Sequence, residues 1–353
     1  MTILTLSVIK VLGISAVASV IAILWSPFLI NFLYKHKLWK KSARTKTITG
    51  DEATVFYALH KERETKVPRM GGLLVFVTTA FVTLLFYFIS VLFPESPISQ
   101  FNFLSRSQTW LPLFTLVVAS LVGLFDDILV VSSLGNYIGG GFSFKKRLLI
   151  VALIGLVGGS WFYWKLGWDI ITIPLIGSFS IGIFYLPLFI LVMVACWSGG
   201  IIDGLDGLSG GAFASIFGSF TIISFAQGKY DLATFCAVIT GTLFAFLWFN
   251  IPPARFYMTE VGILGLTTTL AVVAFLTDSV FVLPIIAGLL VVEVGSVIVQ
   301  LLSKKFRKKK LFLSTPIHHH FEAIGWPAYK VTMRFWIIGI VLAIVGVVIK
   351  LMG

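Results

Sequence analysis

Ile201-Ile202-Asp203-Gly204-Leu205-Asp206-Gly207-Leu208 separates two long apolar runs, and the reading of this stretch decides the fold. Two carboxylates three residues apart stand where one membrane helix ends and the next begins. On a helical turn such positions share a face. The two glycines let backbone approach a ligand closely and accept non-helical angles. An ionised side chain at the centre of a membrane helix costs about 2.5–3.5 kcal/mol, so acids beside hydrocarbon call for a reason. Two reasons are open at this point. The stretch is a polar turn at a membrane edge, or it is a metal or phosphate site.

Outward from this stretch the chain is apolar almost end to end. Its 353 residues are 58% hydrophobic and 12% charged, with a mean hydropathy of +1.00. These proportions exclude a soluble globular domain. A segment of about 20 apolar residues crosses a bilayer. Ten segments qualify: Leu6–Leu33, Gly71–Phe93, Trp110–Leu129, Leu148–Trp164, Gly182–Ile201, Gly210–Phe225, Leu232–Phe249, Gly262–Leu276, Val280–Leu302 and Phe335–Leu351. The expected fold is all-α, a polytopic membrane protein of ten transmembrane helices in a single domain, 1–353. The first segment lacks an early basic region and a small-residue cleavage site, so it reads as a retained span.

The net charge is +12, yet its distribution argues against a nucleic-acid partner. Of 27 Lys and Arg, 22 fall in four segments, 34–70, 130–147, 250–260 and 303–334. All four lie on one side if the spans alternate, which marks the cytoplasmic face and sets both termini on the periplasmic side. The run Lys304–Lys310 reads as an anchor on anionic lipid. Asp126, Asp127, Asp203, Asp206 and Glu260 fall on the same side as the basic loops. A single acid at a helix end is ordinarily a solvated cap; five from three loops converge. On the other side, β-branched residues around Pro174 and Gly177 predict a small hairpin over 172–179. Cys196 and Cys236 lie inside apolar runs and read as packing residues.

Five constellations carry chemistry. Asp126 and Asp127 are adjacent, so on a helix they point about 100° apart and cannot share one partner equally. Such acids suit Mg²⁺, a hard ion that takes one or two carboxylates plus substrate phosphates. Asp203-Gly204-Leu205-Asp206-Gly207 is the second. The third, Asn250 to Glu260, supplies an amide, a cation, two aromatics and an acid in one loop; the competing reading for Phe256 is a membrane-interface aromatic. The fourth, Pro316-Ile317-His318-His319-His320-Phe321-Glu322, cannot chelate one ion through all three imidazoles, because they fan around a helix axis. They suit phosphate oxygens instead, or are surface residues. The last, Lys66-Val67-Pro68-Arg69-Met70-Gly71-Gly72, offers cations for phosphate beside a fixed Pro and paired glycines, or is an anchored helix start. Carboxylates, cations and an aromatic–amide loop beside lipid describe phosphoryl transfer from a soluble nucleotide donor to a membrane acceptor.

Pro316 to Trp326, PIHHHFEAIGW, followed by Arg334-Phe335-Trp336, resembles the phospho-N-acetylmuramoyl-pentapeptide transferase family. The acid pair, DGLDGL, the Asn250–Glu260 loop and PRMGG fall in that family's order. The resemblance covers most of the chain and implies ten spans, Mg²⁺, UDP-MurNAc-pentapeptide as donor and undecaprenyl phosphate as acceptor. It implies lipid I and UMP as products, a bacterial cytoplasmic membrane, a site on its cytoplasmic face, and a homodimer. Asp126, Asp127 and Asp206 would then be catalytic, with Asp126 nearest the chemistry. Glu260, Asp126 and Asp127 would hold the metal. Asp203, Gly204, Leu205, Asp206, Asn250 and Tyr257 would bind the nucleotide, Tyr257 standing where the family stacks an aromatic on uracil. Lys66, His318, His319 and His320 would hold phosphate or sugar groups.

The chain departs from the family pattern at several of these places. Val130 stands where a Lys is usual and Gly200 where an Asn is usual. Val67 replaces the usual Thr of the TPxMGG motif. The family's MGD reads Met258-Thr259-Glu260 here. Glu64 falls near the usual Lys of the first loop, with Lys66 two residues on. Two other readings follow from these differences. One keeps the scaffold and changes the donor to UDP-GlcNAc. The other is a transporter or a member without catalysis, against which the acids lie at one face rather than at mid-membrane, with no internal repeat.

Overall fold

The computed structural model describes residues 2–43, 45, 52, 57, 58, 60, 61, 64–133 and 140–353. Parts of the basic loops at 34–70 and 130–147 therefore lie outside the described residues. The fold is an all-α bundle. In order it runs α1 (Ile3–Lys35), α2 (Leu73–Leu92), α3 (Trp110–Val131), α4 (Phe144–Ser160), β1 (Ile170–Ile173), β2 (Gly177–Ser180), α5 (Tyr185–Ser198), α6 (Leu208–Ala226), α7 (Tyr230–Asn250), α8 (Thr259–Leu276), α9 (Leu283–Ile286), α10 (Gly288–Arg307), α11 (Ile317–Ala323) and α12 (Ala328–Met352). Among the described residues nine helical stretches are long and apolar enough to cross a membrane. Helices satisfy their own backbone, which is why they suit hydrocarbon. The protein is a multi-pass membrane protein.

The ninth predicted span, Val280–Leu302, is not one continuous helix. Pro284 lies in the first turn of a four-residue helix, α9, and the chain breaks at Ala287 before α10 begins. α10 carries Glu293, Lys304, Lys305 and Arg307, and is not among the nine. The predicted hairpin forms: β1 pairs antiparallel with β2, with Ile171 opposite Phe179 and Thr172 opposite Ser178.

α8 is the hub. It is buried along nearly its whole length and packs on α3, α4 and α5. Its polar positions do not break this burial. Thr267 and Thr268 donate their hydroxyls to the carbonyls of Ile263 and Leu264, four residues back, the usual way a helix hides a hydroxyl in apolar surroundings. Around the hub, α6 packs on α7 and α12, and α1 on α7. Lys10, near the start of α1, donates to Asn102 O and Asp231. Lys350, near the chain end, stands 4.0 Å from Asp278, which also accepts the Thr172 N–H of the hairpin. Both chain ends thus sit at the hairpin end of the bundle, opposite the carboxylates.

Candidate active site

The site grows from the end of α3. Asp126 and Asp127 are both buried there, and as neighbours on a helix they face different partners. Asp126 Oδ1 accepts the N–H of Phe142 (2.5 Å), and Oδ2 accepts Arg147 Nη2 (2.7 Å). Arg147, in the first turns of α4, turns its other terminal nitrogen to Glu260 Oε1 (2.5 Å). One guanidinium therefore bridges two carboxylates. Asp127 is enclosed. Its Oδ1 accepts two nitrogens of Arg69 (2.8 and 3.2 Å), while Oδ2 accepts the Thr259 hydroxyl (2.6 Å) and the Val261 N–H (3.0 Å).

Thr259 joins three strands of the site. Its hydroxyl also accepts the Met70 N–H, and its own N–H donates to Asp203 Oδ2 (2.9 Å). It does so at φ +55°, a left-handed angle that β-branched residues rarely adopt. Such backbone costs about 1–3 kcal/mol and persists only where its surroundings enforce it. Asp203 Oδ1 accepts the Ser209 hydroxyl (2.7 Å). Burial pushes the Asp203 carboxyl up, and the Ser209 and Thr259 donors pull against that rise.

The loop at 203–207 meets the others directly. Asp206 accepts the Ala254 N–H. Asn250 spends its amide inside the protein: Oδ1 accepts the Gly207 N–H and Nδ2 donates to Phe256 O. Asn250 thus locks two loops together, and Leu205 lies in the core. Phe256, an interface candidate by sequence, is fully buried against Phe246 and Phe249. Tyr257 is half-buried, and its main chain bonds Pro68 O and the Gly71 N–H. Gly204 has no room for a side chain, since a Cβ there would collide with the His318 ring.

The three histidines fan as their helix requires. His318 is fully buried with Nδ1 2.9 Å from Glu293 Oε2, but neither group makes an aligned hydrogen bond. His320 accepts the Leu313 N–H. His319 and His60 both reach Glu322 Oε2, at 2.8 and 3.1 Å. His60, His319 and Glu322 bring three donor atoms within 4.8 Å, a metal-ligand grouping apart from the α3 acids. Both imidazoles are bonded to one oxygen of that carboxylate. Lys66 is exposed in a groove of about 460 Å³ that it shares with Lys41, Lys61 and Tyr57. Arg69, three residues on, is the cation of that stretch that reaches the acids.

This cluster has an acid sensitivity. Burial and the neighbouring His318 push His319 down to about 3 from 6.5. Burial would raise Glu322, but bonds from His319 and His60 outweigh it and bring the carboxyl down to about 2 from 4.5. In both cases the unfolded chain takes up a proton before the folded chain does. Stability is therefore full above pH 6.5 and lost as pH falls, through 6.5 to about 3 for His319 and 4.5 to about 2 for Glu322. The unfolding midpoint of purified protein is expected to fall between about pH 7 and pH 4, and less steeply in His319→Gln. Parallel curves would remove His319 from this role.

The family model Glycosyl transferase family 4 matches residues 109–278, from the start of α3 to the end of α8. A phospho-N-acetylmuramoyl-pentapeptide-transferase of Anoxybacillus flavithermus is 31% identical over 342 residues, covering 96% of this chain and 98% of that protein. Like-named proteins of Shouchella clausii and Bacillus subtilis are 33% and 31% identical, each covering about 94% of both chains. The chain belongs to the phospho-N-acetylmuramoyl-pentapeptide-transferase family. Against that family's motifs, Gly200 gains a physical reason. A Cβ there would collide with Cγ2 of Ile263, so Ile263 fills the space any side chain at 200 would need. Gly200→Asn is expected to destabilise the protein by about 1–3 kcal/mol through overpacking, and Ile263→Ala in the same chain to recover part of it. Identical unfolding midpoints for the single and double variants would refute this.

Proposed function

We propose that this phospho-N-acetylmuramoyl-pentapeptide-transferase family member transfers phospho-MurNAc-pentapeptide from UDP-MurNAc-pentapeptide to undecaprenyl phosphate. The products are lipid I and UMP. The membrane is the bacterial cytoplasmic membrane, the site faces the cytoplasm, and the chain acts as a homodimer. One observation carries the reading: Asp126 and Glu260 share Arg147 at the edge of an apolar bundle, beside the 203–207 loop. That arrangement offers carboxylates and an oxyanion-binding cation beside lipid, which phosphoryl transfer between a soluble donor and a lipid phosphate requires.

An oxygen of the acceptor phosphate attacks the donor's β-phosphorus, and the bond to the UMP oxygen breaks. Asp126 serves as the base that removes the acceptor's proton, or as a nucleophile that first takes the phosphosugar. Exchange of labelled UMP into the donor without acceptor marks the second route. Mg²⁺ would be held by Glu260, whose Oε2 makes no hydrogen bond among the described residues, and by Asp126 Oδ2 once Arg147 gives it up. It would neutralise charge on the phosphates. Asp127 does not fit as a ligand, since both its oxygens are taken by Arg69, Thr259 and Val261.

Two radiolabelled donors, UDP-MurNAc-pentapeptide and UDP-GlcNAc, test the reading with purified protein and undecaprenyl phosphate. A labelled lipid from the first is expected. Turnover of UDP-GlcNAc alone overturns the donor, and no turnover of either overturns the enzyme.

A further inference from the structure

Two arginines stand among the acids, and they are held differently. Arg69 gives two nitrogens to one oxygen of a fully buried carboxylate, whose other oxygen is fixed by Thr259 and Val261. Arg147 is looser. Its side chain is 24% exposed, its terminal nitrogens divide between two carboxylates, and its Nε is buried without any hydrogen-bond partner. Arg147 also lines a cavity of about 10 Å³, walled by Asp126, Phe142, Trp197 and Glu260. That is room for about one water-sized atom. A buried N–H without an acceptor is costly, so Arg147 has a donor in hand. A guanidinium fork suits phosphate oxygens and does not lose its proton, so its pairs with the two carboxylates do not open by deprotonation of Arg147.

The acids are meanwhile closed to a hard cation. Among the six oxygens of Asp126, Asp127 and Glu260, Glu260 Oε2 is the one without a hydrogen bond to the described residues. Mg²⁺ demands near-octahedral oxygen ligation and sheds water reluctantly, so one oxygen does not make its site. A phosphate that drew Arg147 away would release Asp126 Oδ2 and Glu260 Oε1 and add oxygens of its own.

We propose that Arg147 is an exchangeable counter-ion that bars divalent cations from Asp126 and Glu260 until a phosphate oxyanion takes it over. Phosphate and metal then bind as a coupled pair, each strengthening the other by the same factor. The inference rests on the phosphoryl-transfer reading of this site.

Mn²⁺ binding to the full chain in detergent, read by electron paramagnetic resonance, tests it. Without phosphate, Arg147→Gln is expected to bind Mn²⁺ at least about tenfold more tightly than the unchanged protein, in the range typical of coupled sites. Arg147→Lys, which keeps the charge without the guanidinium fork, is expected to fall between. After correction for Mn²⁺ held by free ligand, UDP or geranyl phosphate is expected to tighten Mn²⁺ binding in the unchanged protein and not in Arg147→Gln. UDP alone acting assigns the oxyanion to the donor, and geranyl phosphate alone to the acceptor. Equal Mn²⁺ affinity in the unchanged protein and Arg147→Gln overturns the proposal. If Arg147→Gln does not fold, Mn²⁺ affinity in the unchanged protein that neither phosphate alters overturns it. A failed transfer assay leaves these affinities standing, so the two readings fail separately.

Discussion

Asp126→Asn is expected to cut turnover of the donor by about 10²–10⁴-fold, the usual contribution of a positioned acid–base group. The substitution is nearly isosteric, and the amide can still accept Arg147 or the Phe142 N–H through its oxygen. What it removes is the charge and the basic oxygen. Donor binding should persist, because the loop at 203–207 and the Asn250–Tyr257 loop are tied by Asn250, Asp206 and Ala254 without Asp126. Single-turnover transfer measured beside nucleotide binding separates these effects. Near-normal turnover would take Asp126 out of the chemistry.

Asp127→Ala should act on the fold instead. It deletes a buried carboxylate with four hydrogen bonds and strands Arg69, only 17% exposed, without its partner. Breaking a buried ion pair from one side costs about 3–5 kcal/mol. The Thr259 hydroxyl and the Val261 N–H lose their acceptor as well. The expected result is a large drop in unfolding midpoint in detergent, with Arg69→Thr in the same chain restoring part of it. A midpoint within a degree of the unchanged protein would show that the pair holds nothing. The two adjacent acids thus differ in kind: one fails in turnover, the other in stability.

Much of this was legible in the sequence, for identifiable reasons. Period and length of the apolar runs mark the spans because a bilayer imposes a fixed length on any helix that crosses it. The split between Asp126 and Asp127 follows from the 100° step of a helix, and the fanning of His318 to His320 from the same geometry. The convergence of five acids was readable from loop alternation. Partners were not readable. Arg147 sits two residues after Lys145 in a basic loop, where charge alone says only which side of the membrane it faces. Arg69 was visible beside Lys66 as a cation suited to phosphate, and its pairing with Asp127 spans 58 positions. Glu293 gave a signal that could have been used. An acid inside an apolar run is costly, and here it faces His318. Pro284 likewise announced that no continuous helix runs into it from upstream, and α9 starts at Leu283.

The angle at Thr259 also constrains how this chain can change. Glycine at that position would relax the backbone, yet it would delete both side-chain bonds to Asp127 and Met70. Asp127 would then lean on Arg69 and a single main-chain donor, the Val261 N–H. Drift at 259 is therefore not independent of drift at 69 and 127. Lineages that change residue 259 should change residue 69 with it, because both side chains hold Asp127. Sequence variation among near relatives reads this directly, and free mixing of the two positions would break the linkage.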